Sequence, residues 1–171
     1  RNQYIRRKSQ RQEAKTAEMF GGRTQIASGA IEGLKGDVRT GSKTTSFNAD
    51  DFLIENKFTD KKGYKLELKI WEKIEEEAFR DDMRNPLLVV TPADGNYYVI
   101  FDKGIKMTFP KLDELEVTER IDKSKAKSYT IPEKILNKIY LDTEGKYTLE
   151  IVLGDRKFYI LSFDVFSSLA L

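Results

Sequence analysis

The chain has no cysteine and no histidine among its 171 residues. Without cysteine there are no disulfides, thiol nucleophiles or thiolate metal sites. Without histidine there is no Ser-His-Asp triad, no imidazole-bound zinc and none of the side chain most used as a general base. No apolar run approaches the ~20 residues that would span a bilayer, so no membrane role is expected. No secretory signal is visible, and the first residue is Arg1 rather than Met, which is read as a trimmed or processed start. Hydrolysis by such a chain would have to rest on carboxylates, lysine and a hard cation. Magnesium suits that chemistry, because it takes oxygen ligands and needs few protein groups.

What is present is a soluble composition, 39% hydrophobic and 34% charged. Its length allows one core of useful size with a small appended part. The net charge is only +2, but it is unevenly spread. Residues 1–40 carry nine Lys/Arg against four Asp/Glu, and the remainder carries 21 against 24. A basic start followed by acidic site residues suits a polyanionic substrate. The alternative for residues 1–8 alone is a disordered, solvated tail.

Hydrophobic spacing predicts a helix over residues 10–20, with Glu13 inside its apolar stripe and Glu18 on the margin. Gly21-Gly22 ends it. Residues 23–27 read as a strand and residues 31–36 as a Gly-containing loop to Asp37. Residues 39–50 are polar and read as a loop or hairpin tip. The clearest strand is 52–59, with Phe52, Ile54 and Phe58 on one face and Asp51, Leu53, Glu55 and Lys57 on the other. A helix over 66–80 follows, with Trp71, Ile74 and Ala78 at helical spacing, then strands at 87–90 and 97–101.

Residues 104–127 are polar and read as an irregular linker or insertion. The last third echoes the pattern from Tyr64 to Ile74 at an offset of 65, from Tyr129 to Ile139. Strands at 149–153 and 158–161 follow, joined by a Gly154-Asp155 turn. Duplication and the coincidence of a common helix–strand–strand order both explain the echo. No second copy of the Glu55-x-Lys57 strand is expected. The predicted fold class is α/β, a mixed sheet flanked by helices. Residues 1–103 form the core, 104–127 a linker and 128–171 an accessory helix–hairpin unit.

The residues that carry chemistry are Asp37, Glu55 and Lys57. Glu55 and Lys57 are two apart on one strand, so they share a face. Two carboxylates can hold a divalent cation that polarises a phosphate oxygen and activates water, and the Asn56 carbonyl can add a ligand. A lysine beside them can orient the water and stabilise charge at phosphorus. Glu13, turned inward, is a candidate third carboxylate, and Asp51 shares the Glu55 face as a reserve ligand. Glu-x-Lys alone carries little weight, since surface strands often pair opposite charges.

In order, Gln12-Glu13, Gly22-Arg23, Ser28-Gly29, Gly36-Asp37-Val38 and Ile54-Glu55-Asn56-Lys57-Phe58-Thr59-Asp60-Lys61 resemble the archaeal-type Holliday junction resolvases and their phage relatives. These belong to the PD-(D/E)xK, restriction-endonuclease-like superfamily. The resemblance spans about residues 6–101. It implies a two-fold dimer that cuts branched DNA with magnesium or manganese, in the cytoplasm or in a host's cytoplasm if phage-encoded. It implies that Glu13, Asp37 and Glu55 are the acidic site residues and Lys57 the catalytic lysine. Ser28 would lie near the scissile phosphate, Thr59 and Lys61 would contact substrate, and Arg6, Arg7, Lys8, Arg11 and Arg23 would grip the DNA backbone. The chain departs from the pattern in its long polar segment between Asp37 and Glu55, in Asn56 between Glu55 and Lys57, and in everything after residue 104. A nuclease acting on duplex, nicked or flapped DNA is the alternative within the same chemistry. A DNA-binding module that does not cut is the alternative outside it.

Overall fold

A computed structural model describes residues 52–80 and 85–171, together with Arg11 and two short strands, Arg23–Thr24 and Val38–Arg39. Its contacts divide the chain into two units, Arg1–Phe58 with Trp71–Val89, and Thr59–Ile70 with Val90–Leu171. The first unit contains β1 (Arg23–Thr24), β2 (Val38–Arg39), β3 (Phe52–Phe58), most of helix α1 (Leu68–Arg80) and most of β5 (Asn85–Thr91), in strand order β1-β2-β3-β5. The second contains β4 (Tyr64–Glu67), β6 (Tyr98–Asp102), α2 (Lys103–Thr108), α3 (Pro110–Asp113), β7 (Glu119–Lys123) and β8 (Ser128–Ile131). It continues with α4 (Glu133–Leu141), β9 (Leu149–Leu153), β10 (Arg156–Ser162) and α5 (Phe163–Ala170).

The expected α/β class is found. In the second unit the strand order β6-β10-β9-β7 makes a mixed sheet, antiparallel except for β7 beside β9. Strands β6 and β10 are apolar on both faces because both faces are covered. Tyr98–Phe101 and Phe158–Ile160 are fully buried. On α4, Ile135, Leu136 and Ile139 are the buried residues, at the spacing one face of a helix requires. In the first unit α1 buries Trp71, Ile74 and Ala78 at the predicted spacing.

Three expectations need correction. The helix begins at Leu68, not at residue 66, because Tyr64–Glu67 is strand β4 paired with β8. Leu66 fits the helical stripe, but its backbone pairs opposite Tyr129, 63 residues away. Residues 104–127 are not irregular. They contain most of α2, capped by Asp102 accepting from the Ile105 N–H at 2.9 Å, then α3 opened by Pro110, then β7. β7 was illegible because Ile121 is its only apolar residue. Finally, Leu53 is fully buried with Phe52 and Ile54, so the first half of β3 is covered on both faces.

The weak echo at an offset of 65 becomes a structural repeat. The order β3-β4-α1-β5-β6-α2 recurs as β7-β8-α4-β9-β10-α5. β3 neighbours β5 as β7 neighbours β9. β4 pairs with its counterpart β8 through the reciprocal register Tyr64↔Ile131 and Leu66↔Tyr129, and β6 pairs with β10. Tyr64 thus meets the counterpart of Leu66, and Leu66 the counterpart of Tyr64, the signature of a local two-fold axis. Asp102 and Ser162 cap the helices that follow, accepting from Ile105 and Val165. β7 is therefore the counterpart of β3 that the sequence reading did not find, and duplication explains the chain better than coincidence. At that offset Arg120 and Asp122 stand where the first copy has Glu55 and Lys57.

One row across the second sheet is ionic. Arg120, Glu150, Tyr159 and Phe101 occupy successive paired positions on β7, β9, β10 and β6. Glu150 is 2% exposed. It accepts from the Tyr159 hydroxyl at 2.6 Å and pairs with Arg120 Nε at 2.6 Å. Burial pushes its carboxyl up, but the bonds from Tyr159 and Arg120 outweigh burial and hold it below the ordinary carboxylate value. Burial and the same bond to Glu150 push the Tyr159 hydroxyl well up, so it keeps its proton. Lys106, 4% exposed, donates to the Asp113 carbonyl at 3.0 Å, and its ammonium lies 5.6 Å from the Tyr159 ring. Burial and the charge of Lys103 lower its pKa.

Tyr159→Phe should destabilise the fold by about 1–3 kcal/mol at neutral pH, since it strips a partner from a buried carboxylate. Glu150 has a lowered folded pKa, so its contribution is complete above the ordinary carboxylate range and lost as pH falls through the folded value. Urea unfolding across pH should therefore show the gap between Tyr159→Phe and wild type closing in acid. A gap independent of pH would mean that Tyr159 does not act through Glu150.

Candidate functional site

Strand β3 (Phe52-Leu-Ile-Glu-Asn-Lys-Phe58) is held by its apolar first half, and its charged second half emerges from that core. Strand parity then decides what faces what. Glu55 and Lys57 lie on one face, with Lys57 Nζ 3.4 Å from Glu55 Oε1. The Glu55 side chain is 16% exposed and that of Lys57 38%. Asn56 is on the other face and buried.

β2 runs antiparallel to β3 with Val38 opposite Ile54 and Arg39 opposite Leu53. The residue that follows Asp37 in the chain is thus in register with the residue that precedes Glu55. Asp37 itself lies outside the described residues, as do Arg6, Arg7, Lys8, Glu13, Glu18, Ser28 and Asp51. Arg11 is helical and exposed. Arg23 is in β1, its backbone opposite Arg39 in β2.

Thr59 and Lys61 come together in the turn after β3. The Lys61 N–H donates to Thr59 Oγ1 at 3.2 Å, and the Thr59 N–H donates to the Thr91 carbonyl at 3.1 Å. The hydroxyl of Thr59 thus shapes the turn. Lys61 is exposed. Among the described residues no three carboxylates gather as a group that could hold a metal ion.

Two features escaped the sequence reading. Glu77 on α1 is only 8% exposed and lies 3.9 Å from Lys73 Nζ. Its place between Ile74 and Ala78 was legible by the helical-wheel argument that singled out Glu13. In the second unit, Glu119, Tyr129, Lys134 and Lys138 line a groove with a volume of about 470 Å³. They come from three elements, so no sequence motif announces them.

Comparison with known protein families, curated proteins and solved structures finds no match.

The Glu55–Lys57 pair is partly solvated, and such pairs contribute little to folding. Lys57→Met should change unfolding free energy by no more than about 1 kcal/mol in urea titration. A much larger loss would mean that Lys57 holds the fold by more than its pairing with Glu55.

Proposed function

We propose that this chain is a metal-dependent DNA endonuclease of the PD-(D/E)xK type, with a restriction-endonuclease-like core and a preference for branched DNA such as a four-way junction. The observation that carries the reading is the pairing of Glu55 and Lys57 on one half-buried strand face, beside a strand that begins directly after Asp37. The donor chemistry fits a hard cation. Glu55 offers carboxylate oxygen, Asn56 a backbone carbonyl and Asp37 a second carboxylate, and the chain has no thiolate or imidazole ligand to favour zinc. Magnesium or manganese, when bound there, supplies polarisation of the phosphate and activation of water.

The chain's own groups do the rest. Glu55, anchored by the buried Phe52-Leu53-Ile54 segment, holds its carboxylate at a fixed place against the substrate. Lys57 positions the attacking water and places positive charge where the phosphorane oxygens develop negative charge. Glu13 is a third carboxylate in this reading, and Ser28, Thr59 and Lys61 contact the substrate strand. Arg6, Arg7, Lys8, Arg11 and Arg23 bind phosphates without reading bases. The reading takes the active form as a homodimer working in the cytoplasm. Among the described residues no helix is long and apolar enough to cross a membrane.

The test is incubation with a four-way junction and a matched linear duplex, with and without magnesium. Paired nicking of the junction is expected. Equal cutting of both substrates would move the activity to duplex, nicked or flapped DNA, and binding without cutting would leave a DNA-binding module. Glu55→Gln should lower the cleavage rate on the order of 100-fold or more while largely sparing junction binding. An active Glu55→Gln protein would overturn the placement of the metal.

A further inference from the structure

The groove of the second unit has the makings of a binding site on chemical grounds. Its volume of about 470 Å³ is within the range of small-ligand clefts. Glu119 of β7 and Tyr129 of β8 line it together with Pro132, Lys134 and Ile135 at the start of α4 and Lys138 in its last turn. Tyr147 donates its hydroxyl to Glu119 Oε2. Burial and that bond push the Tyr147 hydroxyl well up, so it keeps the proton that it donates to Glu119. Its other oxygen, Oε1, has no partner among the described residues.

The cations of this groove are not consumed by the fold. Lys134 and Lys138 are four apart, on one helix face, where like charges repel. Lys134 has no ion-pair partner among the described residues. Lys138 Nζ is 5.3 Å from the Tyr147 ring and Lys123 Nζ 5.8 Å from the Tyr129 ring, near the outer limit of a cation–π contact. The first repeat makes the contrast. There the equivalent Lys73 has Glu77 four residues on, at 3.9 Å. In the second repeat the corresponding Asp142 is turned to backbone, accepting from the N–H groups of Lys146 at 3.0 Å and Tyr147 at 2.9 Å. Lys138 is left facing the groove.

An aromatic wall, a carboxylate oxygen without a donor and a pair of mutually repelling lysines call for one kind of ligand. It should be planar, carry an amino group and bear an anion. We propose that this groove binds a nucleotide of single-stranded DNA whose base has an exocyclic amine. The base lies against Tyr129 and Ile135, Glu119 Oε1 accepts from the amine, and the phosphate sits between Lys134 and Lys138. A carboxylate that accepts from the cytosine N4 amine discriminates against thymine, which presents a carbonyl there. This site is independent of the metal site on β3 and needs no cleavage.

Binding of fluorescein-labelled oligo(dC) and oligo(dT), about six nucleotides long, is measured by anisotropy in EDTA. Wild type should prefer oligo(dC). The double variant Lys134→Gln/Lys138→Gln, altered only at exposed positions, should bind about tenfold more weakly and with a salt dependence about one unit shallower in log–log slope. Tyr129→Leu should weaken binding by about fivefold or more, with its melting curve showing that it folds. Glu119→Gln should erase the preference for oligo(dC). No binding by wild type, no preference between the two oligonucleotides, or undiminished binding by the double lysine variant would each overturn the proposal. Because EDTA removes cleavage from the readout, these outcomes are separate from the fate of the nuclease reading.

Discussion

The antiparallel ladder between β6 and β10 is the constraint on which the second unit depends. Tyr98 faces Ser162, Ile100 faces Ile160 and Asp102 faces Phe158. Both strands are apolar on both faces, so burial alone does not choose their register. The choice is made by what lies at their ends and sides. Asp102 and Ser162 must each reach the first turn of the helix that follows, and Tyr159 must lie beside Glu150. A slip of one residue would exchange the faces of the strand. It would carry Tyr159 away from the carboxylate and point it at the layer under α4.

The two repeats use charge in opposite ways. In the first, Glu55 and Lys57 share a half-buried face and are partly solvated. A pair so placed contributes little to folding through its own charges. In the second, the equivalent positions hold Arg120 and Asp122, and Arg120 is tied to Glu150 inside the sheet. That carboxylate accepts from Tyr159 on one neighbouring strand and is ion-paired with Arg120 on the other, so its burial is tolerable and removing either partner is costly. One architecture therefore carries a partly solvated ion pair in one copy and a buried carboxylate tied to its neighbours in the other.

The same divergence reaches the helices that follow the repeated tyrosines. α1 and α4 both carry lysines four apart, but Lys73 has Glu77 one turn on, whereas Asp142 turns to the backbone of its own loop. The loop after α4 thereby gains a rigid closure, and the helix gains an uncompensated positive face. Tyr98 adds another link by donating from its hydroxyl toward Asp94 at 2.8 Å and the Leu136 carbonyl at 3.2 Å, which ties β6 to α4.

Sequence alone determined whatever depends on neighbours within a few residues. Strand β3 and its parity, the apolar stripe of α1, the buried runs of β5, β6, β9 and β10 and the Gly154-Asp155 turn all follow from local spacing and backbone preference. Gly154 has a φ of +60°, which the tight turn requires and glycine readily adopts. Only the tertiary structure decided β4, β7 and the repeat. Tyr64–Glu67 is a strand because β8 offers it a partner more than 60 residues away, and polar Glu119–Lys123 is a strand because β9 satisfies its backbone. Long-range pairing of backbone groups leaves no period in the side chains, so β4, β7 and the groove beside them did not show in a sequence where the repeat left only a weak echo.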